Sequence, residues 1–154
     1  MPRGPESQAG VRRKGHDFER SVATAFRSIY PGAKRCAQAH HRQSKSHGES
    51  VPDVEAGPFD IECKVGKNPP VRPAYEQAVR DSRPGQIPIA IVRKNGSNQN
   101  TRPNTSVFIG YGDLAKITRP VFFAEVESHP LEIEYRNFLS LVTDAGLPDT
   151  ANTG

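Results

Sequence analysis

Three features of the sequence predict an α/β domain in which helices flank a mixed β-sheet. Residues Val51 to Val65 alternate around a Gly57-Pro58 turn, with Phe59, Ile61, Cys63 and Val65 apolar and Asp60, Glu62 and Lys64 charged between them. Successive strand side chains point to opposite faces, so this is the pattern of two half-buried strands joined as a hairpin. Upstream, Phe18, Val22, Phe26 and Ile29 recur at helical spacing and form one apolar stripe. Downstream, Ile87 to Val92 is a continuous apolar run, which suits a central strand buried on both faces.

A chain of 154 residues has enough length for one domain with its own core. The expected division is a disordered basic leader over 1–11, a single domain over 12–145 and a flexible tail over 146–154. Only 34% of residues are hydrophobic against 25% charged, which is polar for a compact enzyme and agrees with flexible ends. The net charge of +4 favours an anionic partner such as nucleic acid. No apolar run approaches the ~20 residues of a membrane span, and the first residues lack a signal-peptide core, so a cytoplasmic location is expected. Cys36 and Cys63 are then expected as reduced thiols.

Each element follows from local signals. Pro2, Gly4 and Pro5 keep the leader irregular, and Pro31-Gly32 stops a first helix running from about Gly15 to Ile29. Ala33 to Ala39 is a weak strand candidate. His40 to Ser50 is a polar loop rich in basic and hydroxyl groups, and its histidines with Cys36 have no zinc-finger spacing. After the hairpin, Arg72 to Ser82 predicts a second helix with Ala74, Ala78 and Val79 inward and Arg72, Glu76, Arg80 and Asp81 outward. A strand, a helix and then a buried strand imply a parallel βαβ step. Ser106 to Ile109 is a further strand, and a short helix runs through Ile117. Val121 to Val126 is an extended edge segment. Leu131, Tyr135, Phe138, Leu139 and Val142 mark a last amphipathic helix, ended by Gly146-Leu147-Pro148.

The hairpin carries the chemistry. It brings Asp53 across from Glu62 and Lys64, since opposed side chains in a ladder lie about 5 Å apart. Two carboxylates and a lysine on one small face suit a hard divalent cation such as Mg2+, which takes oxygen ligands and keeps several waters. Pro52-Asp53, a gap of eight residues, then Glu62-Cys63-Lys64 resembles the PD-(D/E)XK motif of restriction endonucleases, exonucleases and Holliday junction resolvases. The segment RKGHDFER, from Arg13 to Arg20, is similar to the opening of the archaeal Holliday junction resolvases, whose first helix carries a glutamate that joins the metal site.

The resemblance implies a restriction-endonuclease-like core over about residues 12–117, with the final helix as an addition. It assigns catalytic roles to Glu19, Asp53, Glu62 and Lys64. Asp53, Glu62, the Cys63 carbonyl and Glu19 would form the Mg2+ site, with Mn2+ as an alternative ion. The implied reaction is metal-assisted hydrolysis of a phosphodiester to leave a 5′-phosphate, and the implied substrate is a four-way DNA junction nicked in pairs by a homodimer. The expected DNA contacts are Arg12, Arg13, Lys14 and Arg20 on the first helix, Arg42, Ser44, Lys45 and Ser46 in the loop, Lys67 after the hairpin and Gln77 on the second helix. The cell would be bacterial, archaeal or phage-infected. The alternatives are another nuclease of this fold acting on duplex or branched DNA, and a non-catalytic DNA-binding module.

Overall fold

In the computed structural model, which describes residues 8–36, 51–95, 104–117 and 130–149, the hairpin turn has a steric cause. Gly57 adopts φ +53°, and a Cβ there would meet the Tyr30 ring at 2.6 Å. Only a residue without a side chain closes the hairpin under that ring.

The elements are α1 (Gln8–Arg27), β1 (Lys34–Arg35), β2 (Val54–Ala56), β3 (Phe59–Gly66), α2 (Val71–Asp81), β4 (Ile87–Lys94), β5 (Thr105–Ile109), α3 (Tyr111–Ile117), β6 (Leu131–Glu134) and α4 (Tyr135–Ala145). The six strands lie in sequence order in one mixed sheet. Only β3 and β4 run parallel, and α2 is the crossover between them. This is the α/β class that the sequence predicts.

The register sorts residues onto two faces. Val54 pairs with Ile61 and Ala56 with Phe59, and these pack with Cys63, Ile89, Ile91, Val107 and Ile109 against the α1 stripe and against Phe138 and Val142 of α4. Phe59 sits at the centre, its ring 6.2 Å from Phe26 and 5.5 Å from Phe138. The opposite face carries Asp60, Glu62 and Lys64 beside Ala90, Val92 and Phe108, and α2 lays Ala74 and Ala78 over it. Because α2 covers this second face, β3 is buried on both sides rather than half-buried, and Asp60 and Glu62 are only 1% and 2% exposed.

Four other details depart from the sequence reading. α1 begins at Gln8, about two turns before Gly15, because Gln8 to Lys14 is rich in good helix formers and Gly10 alone does not break it. Arg12, Arg13 and Lys14 therefore stand on a helix. On α2, Val79 is 50% exposed while Asp81 is 4% exposed, because the inward stripe runs Ala74, Ala78, Asp81. Leu131 to Glu134 is strand β6, antiparallel to β5, instead of the first turn of the last helix. Its Leu-Glu-Ile-Glu alternation has strand period, and Glu134 ends it by accepting hydrogen bonds from the Arg136 and Asn137 N–H groups at the start of α4. The weak strand after the first helix shortens to Lys34–Arg35 within the described residues. The edge segment expected at Val121 to Val126 lies outside them. Among the described residues no helix is long and apolar enough to cross a membrane.

Candidate active site

The Asp53, Glu62 and Lys64 side chains meet where β2 enters the sheet and β3 leaves it. The Asp53 N–H donates to the Ile61 carbonyl at 3.0 Å, although Ile61 is already paired with Val54, so the chain steps out of register just before β2 and Asp53 stays bonded to β3. The Asp53 carboxylate then accepts the Cys63 N–H at 2.9 Å. A side chain that takes a strand N–H lies in the plane of the sheet, so groups from both faces can approach it. The carbonyl of a strand residue points to the same side as its own N–H, which turns the Cys63 carbonyl toward the same edge.

From the α2 face comes Glu62. Burial first, and then the Asp53 charge, push its pKa from an ordinary 4.5 up to about 7, against the pull of Lys64. The Lys64 ammonium donates to Glu62 Oε1 at 2.5 Å. Burial alone would lower the Lys64 pKa, but the Glu62 hydrogen bond and charge, with Asp53 behind them, outweigh it and raise the pKa above 10.5. Lys64 is therefore a cation at neutral pH.

From the α1 face comes Glu19, on the flank of the buried stripe. Burial is the main cause that raises its pKa, and the Asp53 charge adds to it. A hydrogen bond from Arg35 opposes both. Arg35 was not among the residues singled out by the sequence. Its signal lies in β1 pairing: Arg35 stands opposite Val54, which puts it on the α1 face, while Lys34 stands opposite Glu55 on the other. The β1 register was invisible without knowing that so short a strand pairs with β2.

The chain matches no protein-family profile, no curated protein and no solved structure.

The donor set can be tested against a hard cation on its own chemistry. Among the described residues no three His, Cys, Asp or Glu side chains form a ready cage. The half-buried Asp53 nevertheless places a second carboxylate near the buried Glu62, and after burial itself the Asp53 charge is the next cause that raises the Glu62 pKa. A divalent cation relieves such a pair, and Mg2+ is commonly held by one or two carboxylates with waters and substrate phosphates. The residues fit the ion on those terms, with the Cys63 carbonyl at the same edge. Glu19 is paired with Arg35 and feels Asp53 only as a like charge.

The remaining predicted contacts fall into three groups. Arg12, Arg13 and Lys14 are exposed on the first turns of α1, and Arg20 is exposed further along the helix with Asp17 at 3.0 Å. Lys67 is exposed just beyond the end of β3, whereas Gln77 is half-buried on α2. Arg42, Ser44, Lys45 and Ser46 lie outside the described residues. A second cluster, unrelated to the site, also escaped the sequence reading. Arg83 donates to both Asp60 oxygens, at 3.0 and 2.6 Å, and its backbone N–H adds a third bond at 2.8 Å. It anchors the far end of β3 to the loop after α2.

Proposed function

We propose that the protein is a Mg2+-dependent DNA endonuclease of the PD-(D/E)XK kind that nicks four-way junctions as a homodimer, leaving 5′-phosphates. One observation carries the reading: Asp53, Glu62 and Lys64 interact at one end of the sheet, with their charges coupled, and Glu19 on α1 lies near enough to feel the Asp53 charge. Bound Mg2+ would supply Lewis acidity and a more acidic water. The residues do the rest. Asp53 and Glu62, with the Cys63 carbonyl, would hold the ion. Lys64, a cation at neutral pH beside Glu62, stabilises charge on the scissile phosphate and orients the attacking water. Arg35 holds the Glu19 carboxylate in an ion pair and opposes the burial that favours its neutral form. The exposed cations of α1 and Lys67 give the phosphate backbone a landing surface.

The test is a gel assay with labelled four-way junction, duplex and single-stranded DNA, in Mg2+ and in EDTA, with Asp53→Asn alongside. Paired nicks in the junction are expected in Mg2+ only. The Asp53→Asn protein should cut at least about a hundredfold more slowly, as expected when a charge-stabilising group is removed, while still binding DNA. Cutting of duplex at an equal rate would keep the nuclease and replace the substrate. Binding without metal-dependent cutting of any substrate would refute the enzyme.

A further inference from the structure

Beside the site, on the same face of the sheet, lies a groove that the catalytic residues do not use. Val92 stands in register with Lys64, and Ser106 stands in register with Val92. At about 4.8 Å per strand, Ser106 in the groove's lining sits about 10 Å across the sheet from Lys64. Both occupy the end of the sheet where β3 and β4 finish and β5 begins. The groove holds about 360 Å3, at the small end of the ~300–1,000 Å3 typical of small-ligand sites.

Its lining is of mixed character. Val92 and Phe108 give an apolar floor, and Lys94, Asn104, Ser106 and Glu132 surround it. The Ser106 hydroxyl donates to Glu132 Oε1 at 2.6 Å, which fixes that carboxylate over the floor. The Asn104 side chain accepts from the Thr105 hydroxyl at 3.1 Å and donates to the Lys94 carbonyl only at a long 3.5 Å, so its amide N–H can turn to a better partner. An ammonium suits a phosphate. An amide presents a donor and an acceptor together, as base edges require, and a carboxylate accepts from an exocyclic amine. A flat apolar floor takes the face of a base. Glu132 would repel a bare polyanion, so the set fits a base with its phosphate better than backbone alone.

We infer that this groove binds one nucleotide unit of DNA next to the cleaved bond. Its place beside the cleaved bond rests on the nuclease reading; its affinity for a nucleotide does not.

The experiment titrates dAMP, dCMP, dGMP and dTMP separately into the full-length, metal-free protein and follows backbone amide shifts by NMR. Saturable shifts are expected from Asn104 to Phe108 and at Glu132 with at least one nucleotide. Ser106→Leu, which fills the groove, should abolish them, and Lys94→Glu, an exposed change, should weaken binding about tenfold. Circular dichroism checks that both variants fold. If none of the four nucleotides shifts these amides in the wild type, or if a folded Lys94→Glu protein binds as the wild type does, the proposal is overturned. The two readings fail separately. Wild-type protein that binds dAMP here but cuts no DNA in Mg2+ keeps the groove and loses the nuclease; protein that cuts DNA but binds no nucleotide here loses only the groove.

Discussion

Lys64 Nζ lies 2.5 Å from Glu62 Oε1, two residues away on one face of β3, in a strand buried on both sides. The pair decides both role and pH response. Glu62 holds its proton more tightly in the folded protein, with a pKa of about 7, than in the unfolded chain, at about 4.5. Ionising it therefore costs folding free energy, a cost that grows between about pH 4.5 and 7 and is constant above. Glu62→Gln should then be more stable than wild type at pH 8 in EDTA, by on the order of 1 kcal/mol, and the difference should shrink at pH 5. Urea denaturation at the two pH values measures it. An equal difference at both would mean that Glu62 does not titrate with folding.

Glu19 and Arg35 form a second ion pair, between α1 and the edge strand. Arg35→Ala would leave a buried carboxylate without its counter-charge, and should cost about 3 kcal/mol of stability. The double change Glu19→Gln with Arg35→Met should recover most of it, because neither charge remains. Equilibrium urea unfolding of the three variants tests this. No recovery in the double variant would place the loss in packing.

Arg83 has a comparable effect at the other end of β3. Asp60 is 1% exposed and depends on Arg83 for three hydrogen bonds. Arg83→Ala should cost about 3 kcal/mol in a denaturant titration. The effect belongs to the frame, so the metal dependence of any DNA cutting should be unchanged in the folded fraction.

The cations on the first turns of α1 should show themselves through salt. Arg12→Ala and Arg13→Ala should each reduce the slope of log affinity against log salt by about one, as expected when one cation no longer neutralises a phosphate. Fluorescence anisotropy with labelled DNA between low and moderate salt provides the reading. A slope equal to wild type would show that the position is only solvated.

How much of this was legible depends on how local the signal is. The hairpin carried its own evidence in alternation and a Gly-Pro turn, and the parallel β3–β4 step followed from the helix between two strands. The sequence places Val79 inward and Asp81 outward by polarity alone, but Ala74, Ala78 and Asp81 follow helical spacing (i, i+4, i+7) and Val79 falls off that stripe. The Leu131 to Glu134 segment fits a helix stripe and a strand alternation equally well over so few residues, and pairing with β5 decided for strand. Arg35 was hidden because its partner lies on α1 and its strand has two residues. At the site, residue types were legible but their coupling was not, since the rise in the Glu62 pKa comes from burial by α2.

The middle residue of Glu62-Cys63-Lys64 gives the site a built-in reporter. The Cys63 thiol is buried against the α1 face, and burial holds its pKa well above the ordinary thiol range. A neutral, enclosed thiol does not meet an alkylating reagent until the hairpin parts from the helix. The rate at which Cys63 is alkylated, read separately from that of the more accessible Cys36, therefore measures how often the frame around Asp53 and Glu62 opens, without a substrate, and tells slow breathing of the scaffold apart from slow chemistry.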